Sequence, residues 1–171
     1  MAGTQTEINE YGPEVSPAEA KEFSARLEYL MEYATAVVFA GSVPPNLDEG
    51  FLVGLLRRAR ERGIYTVVDS PPSVLRAVLK ANPSLVSPNQ HEAESVVGFD
   101  FIEDGDFPLG LTRLIELGAA NACITSPEGL SYLSTESGAV SARAPRIEAV
   151  STVGSGDAYL AGLLAGLLHR N

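Results

Sequence analysis

Residues 154–157, Gly-Ser-Gly-Asp, stand directly ahead of an uncharged, largely apolar stretch from Ala158 to Leu168. The first amides of a helix have no partner within it and carry the positive end of its dipole. Glycines at 154 and 156 let such amides converge on a ligand at close range, which makes an anion pocket. Asp157 beside that pocket would repel a resting phosphate. Its carboxylate makes chemical sense as a base that takes a proton from a hydroxyl attacking phosphorus, while the amides neutralise charge developing on the transferred group. A plainer reading stays open, in which Asp157 only favours the helix N-terminus by its charge. Two other glycine-rich loops are excluded. A dinucleotide fingerprint needs a third glycine where Tyr159 stands, and a P-loop needs Gly-Lys-Ser/Thr, a context that neither Lys21 nor Lys80 has.

These residues need a scaffold, and the chain alternates apolar strands with amphipathic helices. Ser16 and Glu19 spell a capping box with Pro17 at the first helical position, followed by apolar residues at helical spacing from Ala20 to Ala34. "AVVFAG" (36–41) reads as a buried strand ending in "GSVPPN". A helix over 47–62, the strand "IYTVVDS" (64–70), a short helix near 73–80 and the apolar "SLVSPN" (84–89) follow. Asn89 and Glu92 have the spacing of another capping box, opening a helix from Gln90 to Val97. An acidic loop leads to a helix over 108–117, the strand "ACITS" (122–126) and two strands, 129–135 and 139–145, joined through Gly138. The last helix is expected from Gly156 or Asp157, with Leu160, Leu163, Leu164, Leu167 and Leu168 on one face. Such alternation means βαβ units and a mostly parallel sheet, whose ligands bind at the carboxyl ends of its strands. Ser42, Asp69, Asn89, Ser126 and the 154–157 loop all fall there.

Composition narrows the function classes. A length of 171 residues suits one α/β domain, at roughly 150 residues per domain. Twelve Lys and Arg against 22 Asp and Glu give a net charge of −10, which argues against a nucleic-acid partner. The single Cys123 lies in an apolar strand and reads as a structural thiol. "MAGTQTEINE" has neither the basic start nor the apolar run of a signal peptide, and Ala158–Leu168 is too short to cross a bilayer. The expectation is a soluble, cytoplasmic protein. His91 and His169 are expected at the surface near helix ends, without chemistry.

"STVGSGDAYLAGLLAGL" (151–167) resembles the second signature of the ribokinase/PfkB family of sugar kinases, Thr-x-Gly-Ala/Ser-Gly-Asp-Ala. The resemblance implies a ribokinase-like, Rossmann-type three-layer fold with ATP and Mg²⁺ as cofactors. It makes Asp157 the base for the sugar hydroxyl and Gly154, Ser155 and Gly156 the anion hole, with Thr152 beside the nucleotide. "SPNQHEAE" (87–94) resembles the family's Asn-x-x-Glu motif, which assigns phosphate and magnesium to Asn89 and Glu92; the helix-cap reading of the same pair stays open. "CITSPEGL" resembles the nucleotide loop and places it on Ser126, Pro127, Glu128 and Gly129. "TEINEYGPEVSPAE" and "FAGSVPPN" look like the subgroup that phosphorylates fructose 1-phosphate or tagatose 6-phosphate, with Asn9 and Ser42 facing the sugar.

There are departures from the pattern. Ser87 stands where the family usually has a lysine, Ser126 and Pro127 replace the opening of the nucleotide loop, and "DSPPSVL" keeps Asp69 but not its glycine neighbour. Against the family pattern the first strand and the β-lid before the Ile-Asn-Glu segment are missing, as are the elements after the last helix. The resemblance therefore implies a fragment of an ATP-dependent sugar-phosphate kinase, without turnover alone, with an open surface that favours homo-oligomers. The competing expectation is a degenerate nucleotide- or phosphate-binding or interaction domain.

Overall fold

The computed structural model describes residues 12–145 and 153–168. Helix α1 (Pro17–Met31) starts at the capping box read from the sequence: Ser16 Oγ accepts the Glu19 amide at 3.3 Å and Glu19 accepts the Ser16 amide at 2.8 Å. Then come β1 (Ala36–Ala40), α2 (Glu49–Glu61), β2 (Tyr65–Asp69), α3 (Pro72–Leu79), β3 (Leu85–Val86) and α4 (Gln90–Val97). The chain continues through α5 (Asp106–Glu116), β4 (Cys123–Thr125), β5 (Leu130–Thr135), β6 (Gly138–Arg143) and α6 (Ser155–Leu168). Pro83 and Pro88 flank β3 and confine it to two residues, shorter than the apolar run suggested.

Strands β1, β2 and β3 pair in parallel, with Val38 opposite Val67 and Val67 opposite Leu85. Parallel bridges from Val86 to Ala122 and from Asn89 to Thr125 carry this order on to β4. Beyond it the sheet turns antiparallel, β4 to β5 to β6.

Side chains alternate across a strand, so one sheet serves two packing layers. Val68, Val86, Ala122 and Ile124 enter the core beneath α2, α3, α4 and α5, where Leu56, Leu75, Val78 and Leu114 are fully buried. Val67, Leu85 and Cys123 face the other way, onto Leu160 and Leu164 of α6. Helices on both faces of the sheet give three layers.

Three expectations about burial and boundaries are corrected. β1 is half-exposed rather than buried, with Val38 44% exposed, because the cluster under α6 draws on β2 to β5 and not on β1, and β1 has no outer neighbour among the described residues. Of the leucines expected on one face of α6, Leu160 and Leu164 are buried, while Leu167 and Leu168 are exposed. α6 begins at Ser155, and α5 begins at Asp106, whose carboxylate accepts the Ile102 and Glu103 amides at 2.8 Å.

Candidate active site

The carboxyl ends of the strands converge on the N-termini of α4 and α6. Gly154 takes a left-handed φ of 79° that turns the chain into α6, a conformation glycine adopts without strain. Ala158 donates to the Gly154 carbonyl at 3.0 Å, so the amides of Ser155, Gly156 and Asp157 come before the first intrahelical bond. A Cβ placed on Gly154 or Gly156 would meet nothing within 4 Å, and residues 154–157 are exposed. The helix mouth is open to a ligand.

Three carboxylates from distant parts of the sequence face this mouth. Asp69 ends β2 on the face that packs against α6. Burial, followed by the negative charges of Glu92 and Asp157, pushes its carboxyl up to about 6. The sequence reading put Asp69 at a strand end but gave it no role; an acid closing a run of buried β-branched residues was the available signal.

Asn89 and Glu92 form both arms of a capping box. Asn89 Oδ1 accepts the Glu92 amide and Glu92 Oε2 accepts the Asn89 amide, each at 2.9 Å. The helix-start reading is therefore realised, and that bond occupies one oxygen of the Glu92 carboxylate. Among the described residues no three His, Cys, Asp or Glu side chains form a ready-made metal cage. Magnesium fits the site in a different way: it keeps several waters and needs only one or two carboxylates, and it would relieve the repulsion that Glu92 and Asp157 exert on Asp69.

The loop Ser126–Gly129 joins β4 to β5 and is closed on itself. Ser126 donates its amide to the Leu130 carbonyl at 2.8 Å, Glu128 to Ser126 Oγ at 3.2 Å and Gly129 to the Ser126 carbonyl at 3.1 Å. Pro127 has no amide, so this loop presents surface and carbonyls rather than N–H donors. It forms one wall of a cleft of about 540 Å³ whose opposite wall is Ser155, Gly156 and Tyr159 of α6. Tyr159 is anchored at 3.2 Å to the buried Cys123, and burial raises its hydroxyl to about 12. The thiol is thus a packing group under the cleft, as expected.

Ser42 lies apart, on the rim of a second cleft of about 560 Å³ with Val43, Pro44, Pro71 and Ser73. Asn9, Thr152 and His169 lie outside the described residues. His91 is exposed at the start of α4.

The pattern of the pfkB family carbohydrate kinases matches residues 1–171. The chain is 31% identical, over 183 aligned residues, to tagatose-6-phosphate kinase of Staphylococcus epidermidis, covering 98% of this chain and 55% of that protein. Phosphofructokinase-2 from Escherichia coli, in complex with substrates and products, superposes with a TM-score of 0.85 at 23% identity, over 95% of this chain and 53% of that one. A possible 1-phosphofructokinase from Thermotoga maritima superposes with a TM-score of 0.83 at 26% identity, over 95% and 52%. The fold is ribokinase-like, and the chain spans about half the length of the relatives it matches. Among the described residues no helix is long and apolar enough to cross a membrane. The chain belongs to the pfkB family of carbohydrate kinases.

Proposed function

We propose that residues 1–171 carry the nucleotide and phosphoryl-transfer side of an ATP-dependent kinase that acts on a hydroxyl of a sugar phosphate. The observation that carries this reading is the mouth of α6, where open amides, the Asp157 carboxylate and the cleft beside Ser126–Gly129 adjoin one another. Tagatose 6-phosphate and fructose 1-phosphate are the substrate candidates, the first from the named relative and the second from the resemblance of the Asn9 and Ser42 segments.

Asp157 takes the proton of the acceptor hydroxyl as its oxygen attacks the γ-phosphorus; the bond from that phosphorus to the β–γ bridging oxygen breaks, and ADP leaves. The amides of Ser155 and Gly156, with Gly154 setting their direction, face the charge that spreads over the transferred group. Glu92, through the oxygen left over from its cap, would hold magnesium, which supplies charge neutralisation on the nucleotide phosphates. Ser126–Gly129 and Thr152 flank the nucleotide, Asn89 sets the start of α4, and Asn9 and Ser42 face the sugar.

Closure that excludes water and aligns the hydroxyl needs more than these residues, so the chain alone is expected to bind nucleotide without turnover. Its cellular setting is the cytoplasm. A degenerate binding domain is the second reading, favoured by one observation: the Ser126–Gly129 amides are all bonded within their own turn. Supplying the N-terminal portion of the Staphylococcus epidermidis relative and assaying tagatose 6-phosphate with MgATP separates the two. Phosphorylated sugar appearing only in the complemented sample supports the kinase; none, under conditions where nucleotide binds, supports the binding domain.

A further inference from the structure

We propose that Arg143 is a positioning residue for the nucleotide's phosphate chain, a role that rests on the kinase reading above and goes beyond its assigned residues. Arg143 ends β6, opposite Leu130 in register, and lines the cleft between the Ser126–Gly129 loop and the start of α6. Among the described residues that line this cleft it is the one cation.

Two features make that cation matter. A phosphate chain in this cleft needs donors from both walls, and α6 supplies its N-terminal amides from one side only. On the hairpin side, the amides of Ser126, Glu128 and Gly129 are bonded within their turn, and Ala144 gives its amide to the Gly129 carbonyl at 2.8 Å. The guanidinium is thus the multidentate donor left on that wall. Its own contact, Nη1 to the Glu128 carbonyl, is 3.4 Å long and weak, so it points the side chain along the loop while leaving the fork free. The second feature is charge. The chain carries −10 overall, and Asp69, Glu92 and Asp157 face the same mouth, so a polyphosphate approaching it meets repulsion. A planar, permanently charged fork that pairs two phosphate oxygens at once offsets that field from the hairpin wall.

The test is calorimetric titration of the 171-residue chain and its Arg143→Gln and Arg143→Lys variants with MgATP and, separately, with adenosine. β6 is exposed along its whole length, so both variants keep the fold, which circular dichroism verifies. The expected result is a loss of about tenfold or more in MgATP affinity for Arg143→Gln, with adenosine unchanged and partial recovery in Arg143→Lys. Equal MgATP affinity in wild type and Arg143→Gln overturns the role while leaving the kinase reading intact. Loss of adenosine and MgATP together also overturns it, because that would mark a structural effect on the hairpin. A wild-type chain that binds neither ligand removes the nucleotide site itself, and the kinase reading falls with the proposal.

Discussion

The two flanks of the sheet differ in how completely they are built. At β4, Ile124 and Cys123 are fully buried on opposite faces, helices cover both, and the hairpin loop beyond it and α6 enclose a cleft, although β6 itself is exposed. On the β1 flank one face is bare: Val38 is 44% exposed, and Ser42 sits on the rim of an open cleft with Pro44, Pro71 and Ser73. The same sequence pattern, a short run of β-branched and aromatic residues, made both flanks strands. What differs is the layer above them. The cleft beside α6 has both walls among the described residues, whereas the outer edge and one face of β1 have no cover among them.

The largest expected effect sets the two flanks against each other in stability. Ile124→Ala removes a fully buried side chain between β4 and the α3–α5 layer and should cost about 3 kcal/mol in urea unfolding. Val38→Ala, on the bare face, should cost well under about 1 kcal/mol. Equal losses would mean that β1 is covered in solution.

In the complemented kinase, Asp157→Asn should lower kcat by about a hundredfold or more while leaving the KM for ATP nearly unchanged, since the group acts on the transferred proton and not on nucleotide binding. A normal rate would assign the base elsewhere.

A smaller effect is read from pH. Asp69 carries a folded value of about 6 against an ordinary 3.8, so the folded chain holds that proton longer than the unfolded one. Its stabilising contribution is full below about pH 4 and is lost as pH rises through about 6. After allowance for solvent screening, this amounts to about 1 kcal/mol. Asp69→Asn should flatten that part of the pH–stability curve in magnesium-free buffer and raise the melting temperature at pH 7. An unchanged curve would show that neither burial nor the charges of Glu92 and Asp157 raise this carboxyl.

The smallest effect concerns association. β1 exposes an edge and an apolar face, which favours pairing between copies. Val38→Lys should shift the chain towards monomer in light scattering at high concentration; a wild-type chain already monomeric there would remove the premise.

Much of this was legible in the residues because it is local. Ser16/Glu19 and Asn89/Glu92 fix helix starts through bonds spanning three residues, and α4 falls on Gln90–Val97 as read. Apolar strands alternating with amphipathic helices were enough for βαβ units with a mostly parallel sheet and for placing Gly154–Asp157 at the carboxyl ends of its strands, while the three-layer fold came from the family resemblance. What was not legible depends on coverage and closure. An apolar run says that a strand can be buried, not what lies over it, so β1 is half-exposed where a buried strand was expected. The field on Asp69 arises from Glu92 and Asp157, far apart in sequence and joined only by the sheet. Arg143 lies fourteen or more residues from the Ser126–Gly129 loop in sequence, and only the β5–β6 hairpin brings it beside those internally bonded amides.

The difference between the flanks is tested most directly by titrating the 171-residue chain with MgATP and, separately, with tagatose 6-phosphate, following heat or backbone amide shifts. MgATP is expected to bind, with shifts at Ser126–Gly129 and Ser155–Asp157, and tagatose 6-phosphate alone is expected to produce no saturable signal. Saturable sugar-phosphate binding centred on Ser42 with no response to MgATP would contradict it.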